Sequence, residues 1–213
     1  MIVLHLSVVV VTAYSVQSFF NARGEGNMSV TGAAAFRYFT VDSNVLAALS
    51  SLILMVYAAK QLGGSSEPPV WVRILSLAAA ASVTLTMLTV VLFLGPFVYS
   101  FPPLFKGINL PLHLTTPLIE ILAYSVLESI GGVRVKRRFM ILGTVPMVLY
   151  GGVYCAMAVI LKRWPDFYAF NRNGSFPLSA VIMIAFTAAI SYALGLLGNL
   201  VVKKSSGRKK AGP

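Results

Sequence analysis

The chain contains 213 residues, of which 57% are apolar and only 11% are charged, and its mean hydropathy is +0.82. A water-soluble domain normally carries about 25% charged residues, so this composition excludes a soluble enzyme and a soluble nucleic-acid-binding module. The 17 Lys and Arg outnumber the six Asp and Glu and give a net charge of +11. Because these cations concentrate in predicted loops and near the C-terminus, membrane orientation explains them better than nucleic acid does.

Six apolar stretches are each long enough to cross about 30 Å of hydrocarbon as a helix, which takes roughly 20 residues. They are approximately Ile2 to Phe20, Phe39 to Ala59, Val72 to Leu94, Leu110 to Ile130, Phe139 to Leu161 and Leu178 to Val202. Only helices satisfy the backbone polar groups of such segments within lipid. We therefore predict an all-α, polytopic membrane protein with a six-helix transmembrane domain over residues 1–202 and a basic cytoplasmic tail over residues 203–213.

The first stretch has an alternative interpretation as a signal peptide, because Ala13-Tyr14-Ser15 offers small residues at a cleavage-like spacing. It lacks a basic start beyond the terminal amine, and its apolar run is long for a signal peptide. These two features favour a helix that is retained in the mature protein.

The distribution of Lys and Arg predicts the orientation of the chain. With a cytoplasmic N-terminus, the inner side holds Lys60, Arg73, Arg134, Lys136, Arg137, Arg138, Lys203, Lys204, Arg208, Lys209 and Lys210. The outer side then holds Arg23, Arg37, Lys106, Lys162, Arg163 and Arg172. Since cytoplasmic loops carry the excess of cations, we predict that both termini are cytoplasmic. The third loop is rich in proline, and we expect it to be an irregular interfacial or re-entrant segment that begins near Pro96.

Polar side chains within the apolar stretches cost free energy when they are placed in a membrane, and they therefore indicate candidate functional residues. In the fourth stretch, the spacing of three, four and four residues places a polar stripe on one helix face: His113, Thr116, Glu120 and Tyr124. His113 lies near the outer end, and Glu120 lies two turns deeper, about 10 Å. We expect this stripe to face the interior of the bundle.

The second stretch opens at the same depth with its own small and polar residues, Thr40, Asp42, Ser43, Asn44, Ala47 and Ser51. A third polar segment, Trp164-Pro165-Asp166-Phe167-Tyr168, follows the fifth stretch. If the three helix ends meet, then Thr40, Asn44, His113 and Asp166 surround one pocket near the outer leaflet.

Each of these residues also has a purely structural interpretation. Thr40 and Asp42 are suited to capping the second helix, and Ser43 and Asn44 to joining it to a neighbour. An interfacial histidine commonly bonds a backbone carbonyl, and Glu120 is suited to a hydrogen bond across the bundle. His5 has no polar companion on its own helix, which favours a structural role.

The polar set is suited to acyl transfer. Histidine can remove the proton of a threonine hydroxyl and so activate it as a nucleophile, which predicts a catalytic pair of Thr40 and His113. Asp42, Glu120 and Asp166 are alternatives for orienting the imidazole, and Asn44 or a backbone N–H for stabilising the oxyanion. Ser43, Thr116 and Tyr168 are further candidates for support or substrate binding.

The candidate site residues include too few metal ligands for a catalytic metal ion. Glu120 and one histidine do not make a catalytic zinc site, and the single cysteine, Cys155, lies in an apolar run. The sequence therefore predicts neither a metal nor another cofactor.

Three short motifs also resemble a known family. Arg37-Tyr38-Phe39-Thr40-Val41-Asp42-Ser43-Asn44 is similar to the FT-x-x-SN signature of bacterial six-helix proteins of the Pr6Pr type. Leu112-His113-Leu114-Thr115-Thr116-Pro117 resembles their H-x-x-x-P motif, and Trp164-Pro165-Asp166-Phe167-Tyr168-Ala169-Phe170-Asn171 resembles their W-P-D-F-Y-x-F-N segment. These proteins are distantly similar to the androgen-induced family of transmembrane threonine hydrolases, which cleave fatty-acid esters of hydroxy fatty acids.

The resemblance implies that Thr40 is the nucleophile and His113 is its partner, in a multi-pass protein of a bacterial cytoplasmic membrane. The leading prediction is an intramembrane hydrolase of long-chain lipid esters, with membrane lipids as its partners and no nucleic acid. One rival is a proton-coupled transporter or channel with a relay of His113 and Glu120. The other is a non-catalytic scaffold whose polar stripes hold helices together.

Overall fold

The computed structural model describes residues 2–21, 30–64, 68–130 and 135–210, with side chains described except at 126–130 and 202–210. The protein is 85% helical, and no strand occurs in these ranges, which confirms the all-α prediction. The helices are α1 (Ile2–Asn21), α2 (Phe39–Leu62), α3 (Val70–Val98), α4 (Phe101–Leu104), α5 (Thr116–Ile130), α6 (Arg137–Ile160) and α7 (Phe176–Lys210). A π-helical turn, Pro111–Thr115, leads into α5.

Within the described ranges, five helices are long and apolar enough to cross a membrane: α1, α2, α3, α6 and α7 as far as Val201. The predicted fourth span, Leu110 to Ile130, is helical but is not one of these five. The six-span architecture and the orientation of the termini therefore stay predictions. Among the residues used to predict that orientation, Arg23 and Arg134 lie outside the described residues.

The last helix continues through Lys210, so residues 203–210 of the predicted tail extend α7 instead of following it as a separate segment. Residues 211–213 of that tail lie outside the described residues.

Helix α3 is the central element of the bundle. In its most apolar 18-residue stretch 67% of the residues are buried, compared with 28 to 33% in the other four long helices. It packs against α2, α5, α7 and the first turns of α6. Small buried residues, from Ser76 through Ala78, Ala79, Ala80 and Ala81 to Ser82, allow this close approach from several sides. Helix α1 packs on the edge against α2 and α5.

Helix α3 ends four residues later than the sequence predicted, and this extension includes Pro96. From Val90 to Val98 the helix is π-helical, and the Tyr99 N–H donates to the Leu94 carbonyl at 2.7 Å, five residues back. Because proline has no N–H, a wider helical turn accommodates it better than a regular α-helix does. The loop that follows folds back onto the bundle, and Leu104 at the end of α4 is buried.

Candidate functional site

The start of α2 is held by a residue from a distant loop. Tyr38 provides no side-chain cap for the helix, and the Phe39 N–H instead donates to the hydroxyl of Tyr168 at 2.8 Å. Thr40 is the second residue of this helix and is only 5% exposed. Tyr168 and Thr40 also line the same small space. The start of the second apolar stretch and the polar segment that ends at Tyr168 therefore meet next to Thr40.

Asn44 joins the start of α2 to the segment that carries His113. Its side-chain N–H group donates to the Thr40 carbonyl at 2.7 Å and to the Leu112 carbonyl at 3.0 Å. Two carbonyls that share one nitrogen at these distances lie no more than about 6 Å apart. Asn44 therefore fixes the backbone next to His113 against the backbone of Thr40. Both hydrogens of this NH2 group are used in the two bonds, so the predicted role of Asn44 as oxyanion donor does not fit its geometry.

His113 is buried in the π-helical turn before α5, with 4% of its surface exposed. Its Nδ1 lies 2.6 Å from the carbonyl oxygen of Leu104. Because a carbonyl only accepts, Nδ1 carries the hydrogen and Nε2 carries the free lone pair of a base. In the described residues a backbone carbonyl, and no carboxylate, orients this imidazole. No hydrogen bond joins His113 to Thr40 or to Glu120 there.

The carboxylate of Asp166 organises its own loop. It accepts the Tyr154 hydroxyl at 2.6 Å, the Phe170 N–H at 2.9 Å and the Asn171 N–H at 2.8 Å. These three bonds fix the turn that presents Tyr168 to α2. In the described residues no hydrogen bond joins Asp166 to His113, so the structure gives no support to the predicted role of Asp166 in orienting the imidazole.

The other predicted residues have separate positions. Ser43 donates to the Thr40 carbonyl at 3.1 Å and lies 3.0 Å from the Thr86 hydroxyl, so it joins α2 to α3. Asp42 is half-buried in a different groove, between α2 and α6. Thr116 is fully buried, and its hydroxyl has no hydrogen-bond partner among the described residues.

Three spaces share Phe170 and Met183 as lining residues. The first is a water-sized space of about 20 Å³ that Thr40 and Tyr168 both line. The second is an apolar groove of about 230 Å³ between α6 and α7, and the third is an apolar groove of about 330 Å³ between α3 and α7. Phe170 and Met183 line all three. The two grooves therefore adjoin the space next to Thr40, with Phe170 and Met183 between them.

The N-terminal half of α7 forms a loosely packed wall between these grooves. From Phe176 to Phe186 none of its residues is buried, whereas Thr187, Ile190, Ser191 and Leu194 are. Exposed apolar side chains such as Leu92 and Ile182 line the rim of the larger groove. Both grooves thus open sideways, on the faces of helices that are apolar enough to contact lipid.

Burial also determines the protonation of the loop phenol. It raises the pKa of Tyr168 well above its usual range, and the Phe39 N–H that donates to the phenol oxygen opposes this shift. Tyr168 is therefore a neutral hydroxyl at physiological pH, able to accept and donate hydrogen bonds at once.

Glu120 belongs to a second buried network that the sequence did not reveal. Ser51 donates to Glu120 Oε2 at 3.2 Å, and its hydroxyl lies 3.0 Å from His5 Nδ1. All three side chains are fully buried, and they come from α5, α2 and α1. His5, in the mostly apolar helix α1, was the sequence feature that could have indicated this network. Its partners lie on other helices, and sequence alone does not specify which helices are neighbours.

Within the described residues, no group of three His, Cys, Asp or Glu side chains lies close enough to hold a metal ion.

Comparison of the chain with family models, curated proteins and solved structures finds no match. The resemblance to the Pr6Pr type therefore rests on the three sequence motifs.

Proposed function

We propose that the protein is an intramembrane hydrolase of long-chain lipid esters, with Thr40 as nucleophile and His113 as general base. In this proposal the chain crosses a bacterial cytoplasmic membrane six times, both termini are cytoplasmic, and the site lies near the outer leaflet.

The observation that carries the proposal is the position of two lateral apolar grooves next to the small space that the buried Thr40 lines. Substrate chains that enter from the bilayer need apolar walls and an opening toward lipid, and both grooves have these properties. The ester of such a substrate would reach the water-sized space at Thr40. A hydroxyl at the start of a helix also lies where backbone N–H groups favour developing negative charge.

The chemistry follows from the orientation of His113. The Leu104 carbonyl fixes Nδ1 as the protonated nitrogen, so Nε2 is the atom that accepts a proton from the nucleophile. Attack by the Thr40 oxygen on the acyl carbon forms a covalent acyl-threonine and releases the alcohol, which takes the proton from His113. Water, activated by the same imidazole, then hydrolyses the acyl-threonine to free acid.

Proton transfer requires a bridge or a small rearrangement, because no direct hydrogen bond joins Thr40 and His113. One water molecule, or rotation of the imidazole away from Leu104, provides the path. Hydrogen bonds of catalytic groups are commonly longer before substrate binds. The Asn44 bridge supports either path, since it keeps the two backbones adjacent.

A non-catalytic scaffold is the second candidate, and the hydrogen bonds of Asn44, His113 and Ser43 to backbone carbonyls favour it. In a scaffold these side chains only join helices. The two functions make opposite predictions about covalent reactivity.

A fluorophosphonate probe on the purified full-length protein distinguishes them. The hydrolase is expected to label covalently in the wild type and in Thr144→Ala, a control at a buried threonine in the first turns of α6. Labelling should disappear in Thr40→Ala and in His113→Ala while both variants stay folded. Labelling that persists in Thr40→Ala would reject Thr40 as the nucleophile, and the absence of labelling in the wild type would favour the scaffold.

A further inference from the structure

Tyr168 is the side chain that the structure places against the proposed nucleophile. Its oxygen accepts the N–H of Phe39, the residue before Thr40, at 2.8 Å across 129 residues of sequence. Both residues line the same water-sized space. A carbonyl attacked by Thr40 would therefore develop its negative charge next to this phenol.

Two other side-chain donors around Thr40 are already engaged. Both side-chain hydrogens of Asn44 go to the Thr40 and Leu112 carbonyls. The hydroxyl of Tyr150, which also lines the space, donates to the Arg37 carbonyl at 2.7 Å. Because the Tyr168 oxygen accepts from the backbone, its own O–H is left to donate.

We propose that Tyr168 is a catalytic residue whose O–H donates the hydrogen bond that stabilises the oxyanion. This inference rests on the proposed function. Attack forms the bond from the Thr40 oxygen to the acyl carbon, the π pair of the C=O moves onto its oxygen, and His113 takes the threonine proton. Tyr168 keeps its proton throughout. When the C=O reforms, the bond to the alcohol oxygen breaks, and the alcohol takes the proton from His113.

The surrounding loop holds the phenol in place for this role. Asp166 fixes the turn through three hydrogen bonds, and the hydroxyl of Tyr99 donates to the Phe167 carbonyl at 2.8 Å, one residue before Tyr168. Tyr192 on α7 supplies the control, because this tyrosine is 41% exposed and lines none of the three spaces around Phe170 and Met183. A preorganised donor of this kind stabilises a transition state without rearranging during the reaction.

The test compares Tyr168→Phe with Tyr192→Phe in the purified full-length protein, with p-nitrophenyl palmitate in detergent micelles as the probe substrate. Loss of one oxyanion donor is expected to lower kcat about 10²-fold, with KM changed by less than about threefold. Tyr192→Phe is expected to keep the wild-type kcat. A purely structural Tyr168 would instead lower thermal stability and leave kcat per folded molecule unchanged.

Replacement of Tyr168 by 2,3,5-trifluorotyrosine decides the matter even if Tyr168→Phe does not fold, since the phenol is kept. The fluorinated phenol is far more acidic, so it loses the proton that bonds the oxyanion at a lower pH than tyrosine does. The hydrolysis rate of this variant should therefore fall at alkaline pH values at which the wild-type rate persists. An unchanged pH profile, or an unchanged kcat in folded Tyr168→Phe, would overturn the role of Tyr168 alone. A wild-type protein without Thr40-dependent hydrolysis would overturn the proposed function as well.

Discussion

The hydroxyl of Ser51 gives the sharpest test of how the bundle is held together. Ser51 lies between His5 and Glu120 and bonds both, whereas the adjacent Ser50 is equally buried but has no hydrogen-bond partner among the described residues. Replacing each serine by alanine removes the same atom from neighbouring positions of one helix. The comparison therefore separates the value of the hydrogen bonds from the value of burial.

The expected magnitude follows from the contacts. A side-chain hydrogen bond between membrane helices contributes about 0.6 to 1.7 kcal/mol, so Ser51→Ala should lower the free energy of unfolding by roughly 1 to 3 kcal/mol. Ser50→Ala should change it by less than about 0.5 kcal/mol, or raise it slightly, because an unpartnered buried hydroxyl is itself unfavourable.

Both variants are measured by unfolding in mixed detergent–SDS micelles, followed by circular dichroism. A double-mutant cycle that combines Ser51→Ala with Glu120→Gln then isolates the coupling between the two residues. Equal losses in Ser50→Ala and Ser51→Ala would refute the reasoning. A coupling energy near zero would show that the contact between Ser51 and Glu120 does not stabilise the fold.

Three further predictions follow from the same geometry. Asn44→Ala should lower the free energy of unfolding by about 2 kcal/mol and also reduce probe labelling, because two buried carbonyls lose their donor; destabilisation with full labelling would contradict the link to the site. Gly143→Ala should destabilise by about 1 to 3 kcal/mol through a collision of its Cβ with Ser191, whereas Gly151→Ala meets open space and should stabilise by up to about 1 kcal/mol; thermal unfolding of the pair checks both. The raised pKa of Tyr168 means that the folded state keeps a proton that the unfolded chain releases above about pH 10. The free energy of unfolding should therefore keep its full value below that pH and fall above it, and the fall should be less steep in Tyr168→Phe. An equal fall in both proteins would argue against a raised pKa of Tyr168.

The extents of the helices were largely predictable from the sequence, because the thickness of a bilayer fixes the length of an apolar span. The predicted first span ended one residue before the observed end of α1, and the second began at the observed Phe39. The end of α3 was not predictable in the same way. Proline normally indicates the end of a helix, and the π-helical turn that accommodates Pro96 has no signature in one sequence.

The candidate site was only partly predictable for a different physical reason. Periodicity shows which residues share a helix face, and it grouped His113 with Glu120 correctly as buried residues. It does not show what each polar group bonds. The partners of these two side chains, Leu104 and Ser51, come from a loop and from another helix. Only the three-dimensional structure shows that the Asn44 side chain bonds two backbone carbonyls and that Tyr168 lies beside Thr40.

The sideways opening of the grooves beside α7 has a consequence for any assay of this protein. Amphiphiles that surround the helices can lie along the same apolar walls as a substrate, and they are present at far higher concentration. For the proposed hydrolase, bulk lipid or detergent would be a constant competitive inhibitor, and an apparent KM would reflect the mole fraction of substrate in the micelle or vesicle. Rates obtained in short-chain and long-chain detergents should differ for this reason even when the protein itself is unchanged.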